Sequence, residues 1–308
     1  MSGWDRTVAA ADLFRPSQLR GLRAQLNDAQ QEARLNHRNF ARRLERLVSE
    51  PKPADWGPDQ EEGVVDAGRL ARLVTSASTA TIFRSQENSP RASLALTLLL
   101  DCSGSMRRFQ VPVVCAADLF ARSCDLVGVP VEVLGFTTRS WNGGWMRKVW
   151  KSAGSPPGVG RIAEREHIVV KPFDAVHRSR RSSFAALLRG DLYREGLDGE
   201  ALDWACARAA RQDVRRRVVV VVTDGSPSES ATAAANDEEY LSAHLRQKVD
   251  RWSATGELEV AGLGLGLGLD LSPFYRRFRT VDVEAEGAPG ILDGPLLTGP
   301  ADFSGCVS

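Results

Sequence analysis

Three oxygen-bearing side chains alternate in Asp101-Cys102-Ser103-Gly104-Ser105, and a second acidic turn, Thr223-Asp224-Gly225-Ser226, follows a run of valines. In a turning loop, Asp101, Ser103 and Ser105 converge on one point, and Gly104 allows a tight backbone path. Carboxylates and hydroxyls from two neighbouring strand ends make a hard-oxygen donor set. It suits Mg²⁺, or another divalent cation, in near-octahedral geometry with waters retained. Each motif alone has an ordinary explanation. Asp and Ser cap helices, and Thr-Asp-Gly is a common strand-to-helix turn. Both at predicted strand ends, in this order, favour the metal.

Other chemistry finds no support. Gly-x-Ser-x-Gly and the phosphate loop Gly-x-x-x-x-Gly-Lys-Ser/Thr are absent, so neither a nucleophile elbow nor P-loop ATP hydrolysis is expected. The glycines of Gly262–Gly268 alternate without a following helix, a poor dinucleotide signal. His167 and His177 have no partner at transition-metal spacing and read as structural. No catalytic residue and no cofactor besides the ion is assigned.

The elements that must position these residues follow from hydrophobic period. Leu94–Leu100 is a continuous apolar run, as a strand covered on both faces requires, and Arg217–Thr223 holds five consecutive valines. Val131–Phe136, Glu166–Val170 and the start of Leu258–Leu269 read as further strands. Helical spacing marks Val111–Val127, Ser183–Leu192, Ala201–Arg211 and Tyr240–Trp252. Strands alternating with helices predict an α/β fold with a mainly parallel central sheet flanked by helices, whose ligands lie at the carboxyl ends of the strands.

Upstream, residues 17–49 read as one long N-terminal helix ended by Glu50-Pro51-Lys52-Pro53. The domain division expected is a helical segment 1–50, a connector 51–92 with a short helical pattern at Ala67–Val74, an α/β domain 93–283, and a loosely ordered tail 284–308. Trp141, Trp145 and Trp150 flank a glycine pair in a predicted loop and serve partner docking or local packing. The arginine face Arg34–Arg46 reads as the solvated side of a docked or self-associating helix, with nucleic-acid binding as the alternative, and the cluster Arg178, Arg180, Arg181 is solvated or meets an acidic partner.

A net charge of +1 gives no field that would drive the chain onto nucleic acid. No apolar run is long enough to span a bilayer as a helix. Residues 1–15 lack an uninterrupted apolar stretch for export. Five cysteines, odd in number and without C-x-x-C spacing, argue for reduced thiols in a cytoplasm. No membrane and no nucleic-acid partner are expected.

Asp101-x-Ser103-x-Ser105 with Thr223-Asp224-Gly225 resembles the metal-ion-dependent adhesion site of von Willebrand A (vWA) domains, which implies a Rossmann-like fold and Mg²⁺. Further blocks narrow the resemblance to the CobT subunit of aerobic cobaltochelatase. They are Glu61–Asp66 with Arg69-Leu70, Leu134–Gly144, Gly160-Arg161-Ile162 with Arg165–Ile168, and Asp198–Leu202 with Trp204-Ala205. The resemblance covers about residues 40–282. It implies that Asp198 stands where most adhesion sites use a threonine, with Glu200 the rival for that position. It further implies a non-catalytic subunit, oligomeric in its complex. Such a subunit docks to and couples a MoxR/CobS-type AAA+ ATPase, with a large chelatase or client subunit as the third partner. The competing readings are a vWA adaptor for an AAA+ ATPase that remodels another client, and a free-standing adhesion-type module.

Overall fold

The computed structural model describes residues 4–48, 56–60, 64–65, 83–86 and 94–293. Two compact units are present. The smaller comprises a three-stranded antiparallel sheet of β2 (Trp56–Gln60), β4 (Phe83–Gln86) and β3 (Val64–Val65), with β4 in the centre. The helical pattern at Ala67–Val74 falls outside the described residues.

The larger unit is a seven-stranded sheet in the order β1-β7-β6-β5-β8-β9-β10. Its strands are β1 (Arg6–Ala9), β5 (Leu94–Asp101), β6 (Val131–Thr138), β7 (Arg165–Lys171), β8 (Arg216–Thr223), β9 (Glu259–Leu265) and β10 (Phe278–Val281). All pairings are parallel except β6 with β7. The expected α/β sheet is therefore present. From β5 the chain crosses to β6 on one side and later returns through β8 on the other. The strand order thus reverses at β5, and the crevice opens beyond its carboxyl end.

Alternate residues of the central strands face opposite helical layers, which is why their apolar runs are unbroken. Leu99, Val219 and Val221 pack with Ala201, Leu202, Leu245 and Val249 of helices Asp198–Ala209 and Tyr240–Ala254. The other layer holds helix Gln110–Val127 with Pro16–Glu32, His177–Ala186 and Val283–Asp293 around it.

Several expectations are corrected. The long N-terminal helix is two helices, Pro16–Glu32 and His37–Val48. Arg34 takes a left-handed φ of 49°, and the Asn36 side chain accepts from the amides of Arg38 and Asn39, starting the second helix afresh. Sequence set residues 1–50 apart. In the fold, β1 pairs with β7, and the described residues up to Leu47 belong to the same unit as those from Leu94 onward.

The helix expected at Ser183–Leu192 is His177–Ala186 followed by a 3-10 turn at Gly190–Leu192. The loosely ordered tail expected from 284 instead begins as helix Val283–Asp293. The Asp282 carboxylate caps it, and Val283, Ala288, Ile291 and Leu292 are buried despite a kink at Gly287. Packing outweighs the Gly and Pro content there. Among the described residues no helix is long and apolar enough to cross a membrane.

Candidate metal centre

Asp101 is the last residue of β5, and Thr223 the last of β8, its neighbour in the sheet. Parallel pairing brings the two motifs to the same edge. The loops there are stitched together by backbone bonds. Cys102 N donates to Phe136 O at 2.9 Å, Arg194 N to Cys102 O at 3.0 Å, and Gly196 N to Ser228 O at 3.2 Å.

Within this frame the hydroxyls and carboxylates meet. The Ser103 amide donates to Asp101 Oδ1 at 2.7 Å and the Thr223 hydroxyl to Asp101 Oδ2 at 2.9 Å. Ser105 Oγ donates to Asp224 Oδ1 at 2.8 Å and lies 3.1 Å from Ser103 Oγ. Asp198, the first residue of helix Asp198–Ala209, enters from a third loop. A Cβ built on Gly196 would lie 3.0 Å from Asp198 Oδ2 and 3.7 Å from Asp101 Oδ1, so both carboxylates face that glycine. One cleft is lined by Asp101, Ser103, Ser105, Asp198 and Asp224.

Glu200, the rival to Asp198, is engaged elsewhere. Arg161 Nε reaches it at 2.8 Å and Arg165 Nη1 at 3.2 Å, in a network that also holds Asp5. Gly104 does not owe its place to a special backbone. Its φ of −64° and ψ of −32° are ordinary. A Cβ there would lie 2.7 Å from Trp141 Cη2, so close approach of the indole requires the glycine.

The electrostatics show what this donor set lacks. Burial pushes the Asp101 carboxyl up to about 6, and the Asp224 charge adds to it against the hydrogen bonds from Ser103 and Thr223. Asp198 is raised well above its usual range, first by burial and then by the charge of Asp101. The basic group paired with the site is Arg108, 3.5 Å from Asp224 Oδ2 with a largely exposed side chain. Buried carboxylates left facing one another stabilise a bound cation, which removes their repulsion. Among the described residues no three His, Cys, Asp or Glu side chains are gathered closely enough to hold a metal by themselves. The set therefore depends on the serine hydroxyls. Hard oxygens from Asp101, Ser103, Ser105, Asp198 and Asp224 fit Mg²⁺ or a similar ion, completed by water.

One structural member of the site has no sequence signature. The Glu195 carboxylate accepts from the Asn142 amide at 2.7 Å, from the Ser230 amide at 3.0 Å and from the Ser230 hydroxyl. It ties the turn bearing Trp141 to the loop carrying Asp198 and to helix Ser230–Ala235. No regular spacing marks a lone glutamate in a loop, and only the fold brings its partners together.

Among solved structures, proximal thread matrix protein 1 from the mussel byssus, in a form with a zinc-occupied MIDAS motif, is 14% identical over 65% of this chain and 46% of its own, with a TM-score of 0.39. The pilus adhesin SpaC from Lactobacillus rhamnosus GG is 14% identical over 66% of this chain and 29% of its own, at 0.46. BatB from Bacteroides thetaiotaomicron is 14% identical over 66% of this chain and 98% of its own, at 0.38. This chain spans less than half the length of the first two. The family described as "Cobalamin biosynthesis protein CobT VWA domain" matches residues 82–294, more than two thirds of the sequence, and the chain belongs to that family.

Proposed function

We propose that this chain is a non-catalytic, Mg²⁺-dependent docking subunit that couples a MoxR/CobS-type AAA+ ATPase to a cobaltochelatase-like metal-insertion complex. The observation that carries the reading is the cleft at the strand-order reversal. There Asp101 and Asp198 are buried with raised carboxyls, beside Ser103, Ser105 and Asp224, in a chain of the CobT vWA family. A divalent cation held by these five residues supplies a Lewis-acidic position for a carboxylate of the partner. The protein's part is to fix that position through the hydrogen bonds on Asp101 and Asp224.

The test pairs calorimetry with co-purification. Asp101→Ala and Asp224→Ala are expected to abolish Mg²⁺ binding and to lose an AAA+ ATPase that wild type retains from native extract. Unchanged Mg²⁺ affinity would remove the metal site. Intact Mg²⁺ binding with no ATPase in either sample would remove the coupling role and leave the site.

A further inference from the structure

Four large apolar side chains lie in solvent near the metal cleft. Trp4, Trp141, Trp145 and Val149 are 49%, 51%, 50% and 46% exposed. Trp141 lines the cleft together with Asp101, Ser103 and Ser105 and stands against Gly104. The rings of Trp4 and Trp145 are 6.0 Å apart, tilted at 37°. Trp145 and Val149 stand four residues apart on helix Gly144–Ser152 and so share a face. The chain enters this helix through Asn142, Gly143 and Gly144, all at positive φ, which bring it round directly after the Trp141 turn.

The exposure does not come from a loose helix. Trp150 packs against Ile162, Ala231 and Ala235, and its indole donates to Pro156 O at 2.8 Å. One side is anchored, and the other presents tryptophan to water. Clustered exposed aromatics of this kind mark interaction surfaces. The same helix carries Arg147, Lys148 and Lys151 and no acidic residue, and among the described residues none of these three is in an ion pair. Aromatic faces and unpaired cations thus follow directly from the turn that borders the carboxylate-lined cleft.

We propose that this surface docks an acidic, apolar segment of a partner protein. An apolar side chain of the segment lies on Trp141 and Trp145, its acids meet Lys148 and Lys151, and one carboxylate reaches the ion. Only the last contact rests on the metal reading above. Tryptophan with lysine also suits single-stranded nucleic acid. The aliphatic Val149 beside Trp145 offers packing area to an apolar side chain and no contact to a phosphate, which favours a protein segment over a polyphosphate chain.

The probe is a labelled peptide alternating Asp and Glu with Leu and Phe, followed by fluorescence anisotropy on the full chain. Binding in Mg²⁺ is expected, weakened roughly tenfold by Trp145→Ala and similarly by Lys148→Glu with Lys151→Glu, since a central aromatic contact commonly carries that much. None of these residues is a metal ligand or buried, and an unchanged melting temperature confirms folding. Binding that survives EDTA yet still falls in Trp145→Ala sustains the surface and removes the metal contact. EDTA-sensitive binding of equal strength in wild type and variants overturns the surface and leaves the metal reading. No binding of the peptide at millimolar concentration, or preferential binding of labelled oligothymidylate, overturns the surface outright.

Discussion

Asp101 and Asp118 are both buried aspartates of one domain, 6% and 2% exposed, and the fold treats them in opposite ways. Asp118, on helix Gln110–Val127, receives Arg23 through both oxygens at 2.8 and 2.9 Å, Gln30 at 2.9 Å and His177 at 2.7 Å. Burial alone would raise its carboxyl, but the hydrogen bonds and charges of His177 and Arg23 outweigh it and hold the group at about 2. Asp101 receives an amide and a hydroxyl, feels the Asp224 charge, and stands at about 6. Desolvation bears on both alike. What differs is whether the chain itself brings a cation. Where it does, the aspartate joins three helices of one layer: its own, the one bearing Arg23 and Gln30, and the one bearing His177. Where it does not, the carboxylate is left for a ligand to satisfy.

The sharpest way to break this contrast is by mutation. Asp118→Ala leaves a mostly buried guanidinium and His177 uncompensated and is expected to cost about 3–5 kcal/mol in urea unfolding. Asp101→Asn removes a charge that folding disfavours, and the metal-free protein at neutral pH is expected to be no less stable than wild type. Equal losses from both would erase the distinction.

A smaller effect appears with pH. The Asp101 carboxyl stands at about 6 in the fold against an ordinary aspartate value of 3.8, so the folded state binds the proton more tightly. Metal-free stability therefore falls as pH rises from about 4 through about 6, by about 3 kcal/mol at most. Asp118 works in the opposite sense and lower. Its contribution is complete above about pH 4 and is lost as pH falls toward about 2. Because Mg²⁺ competes with the proton on Asp101, the Mg²⁺-induced rise in Tm should grow between about pH 5 and pH 7. Thermal melts with Mg²⁺ or EDTA read this directly, and a rise independent of pH would detach Asp101 from the ion.

What sequence revealed and what it hid follow the same division between local and long-range causes. The valines of β8 and the leucines of β5 announce strands because both faces are covered, and Asp101, Ser103 and Ser105 are legible because one loop holds all three. The edge strand Arg6–Ala9 was not legible. Its side chains are exposed or half-buried, and its pairing with Glu166–Val169 lies far along the chain. The Asp118 node was hidden for a similar reason, since Arg23 and Gln30 look like ordinary surface residues in sequence and the structural His177 lies 59 residues from its partner. The helix bearing Trp145 looks like loop in sequence because the glycine pair dominates locally, although those glycines only aim the chain into the helix.

The finest distinction within the metal centre concerns Asp198. It opens a helix, where the backbone amides favour negative charge, yet burial and the charges of Asp101 and Asp224 raise its carboxyl well above its usual range. Replacing it by threonine keeps an oxygen and removes the charge. Mg²⁺ affinity is expected to fall roughly tenfold, since charge count tunes such sites, while the metal-free protein keeps or gains thermal stability. A less neutralised ion also pulls harder on a partner's carboxylate. At saturating Mg²⁺ the acidic peptide should then bind the Asp198→Thr variant more tightly than wild type. Calorimetry with Mg²⁺ and then with peptide separates the two effects. An unaltered Mg²⁺ affinity would take Asp198 out of the coordination sphere. With Glu200 held by Arg161 and Arg165, the position would then pass to water, and the site would act as a two-aspartate centre with a stronger demand for an acidic partner.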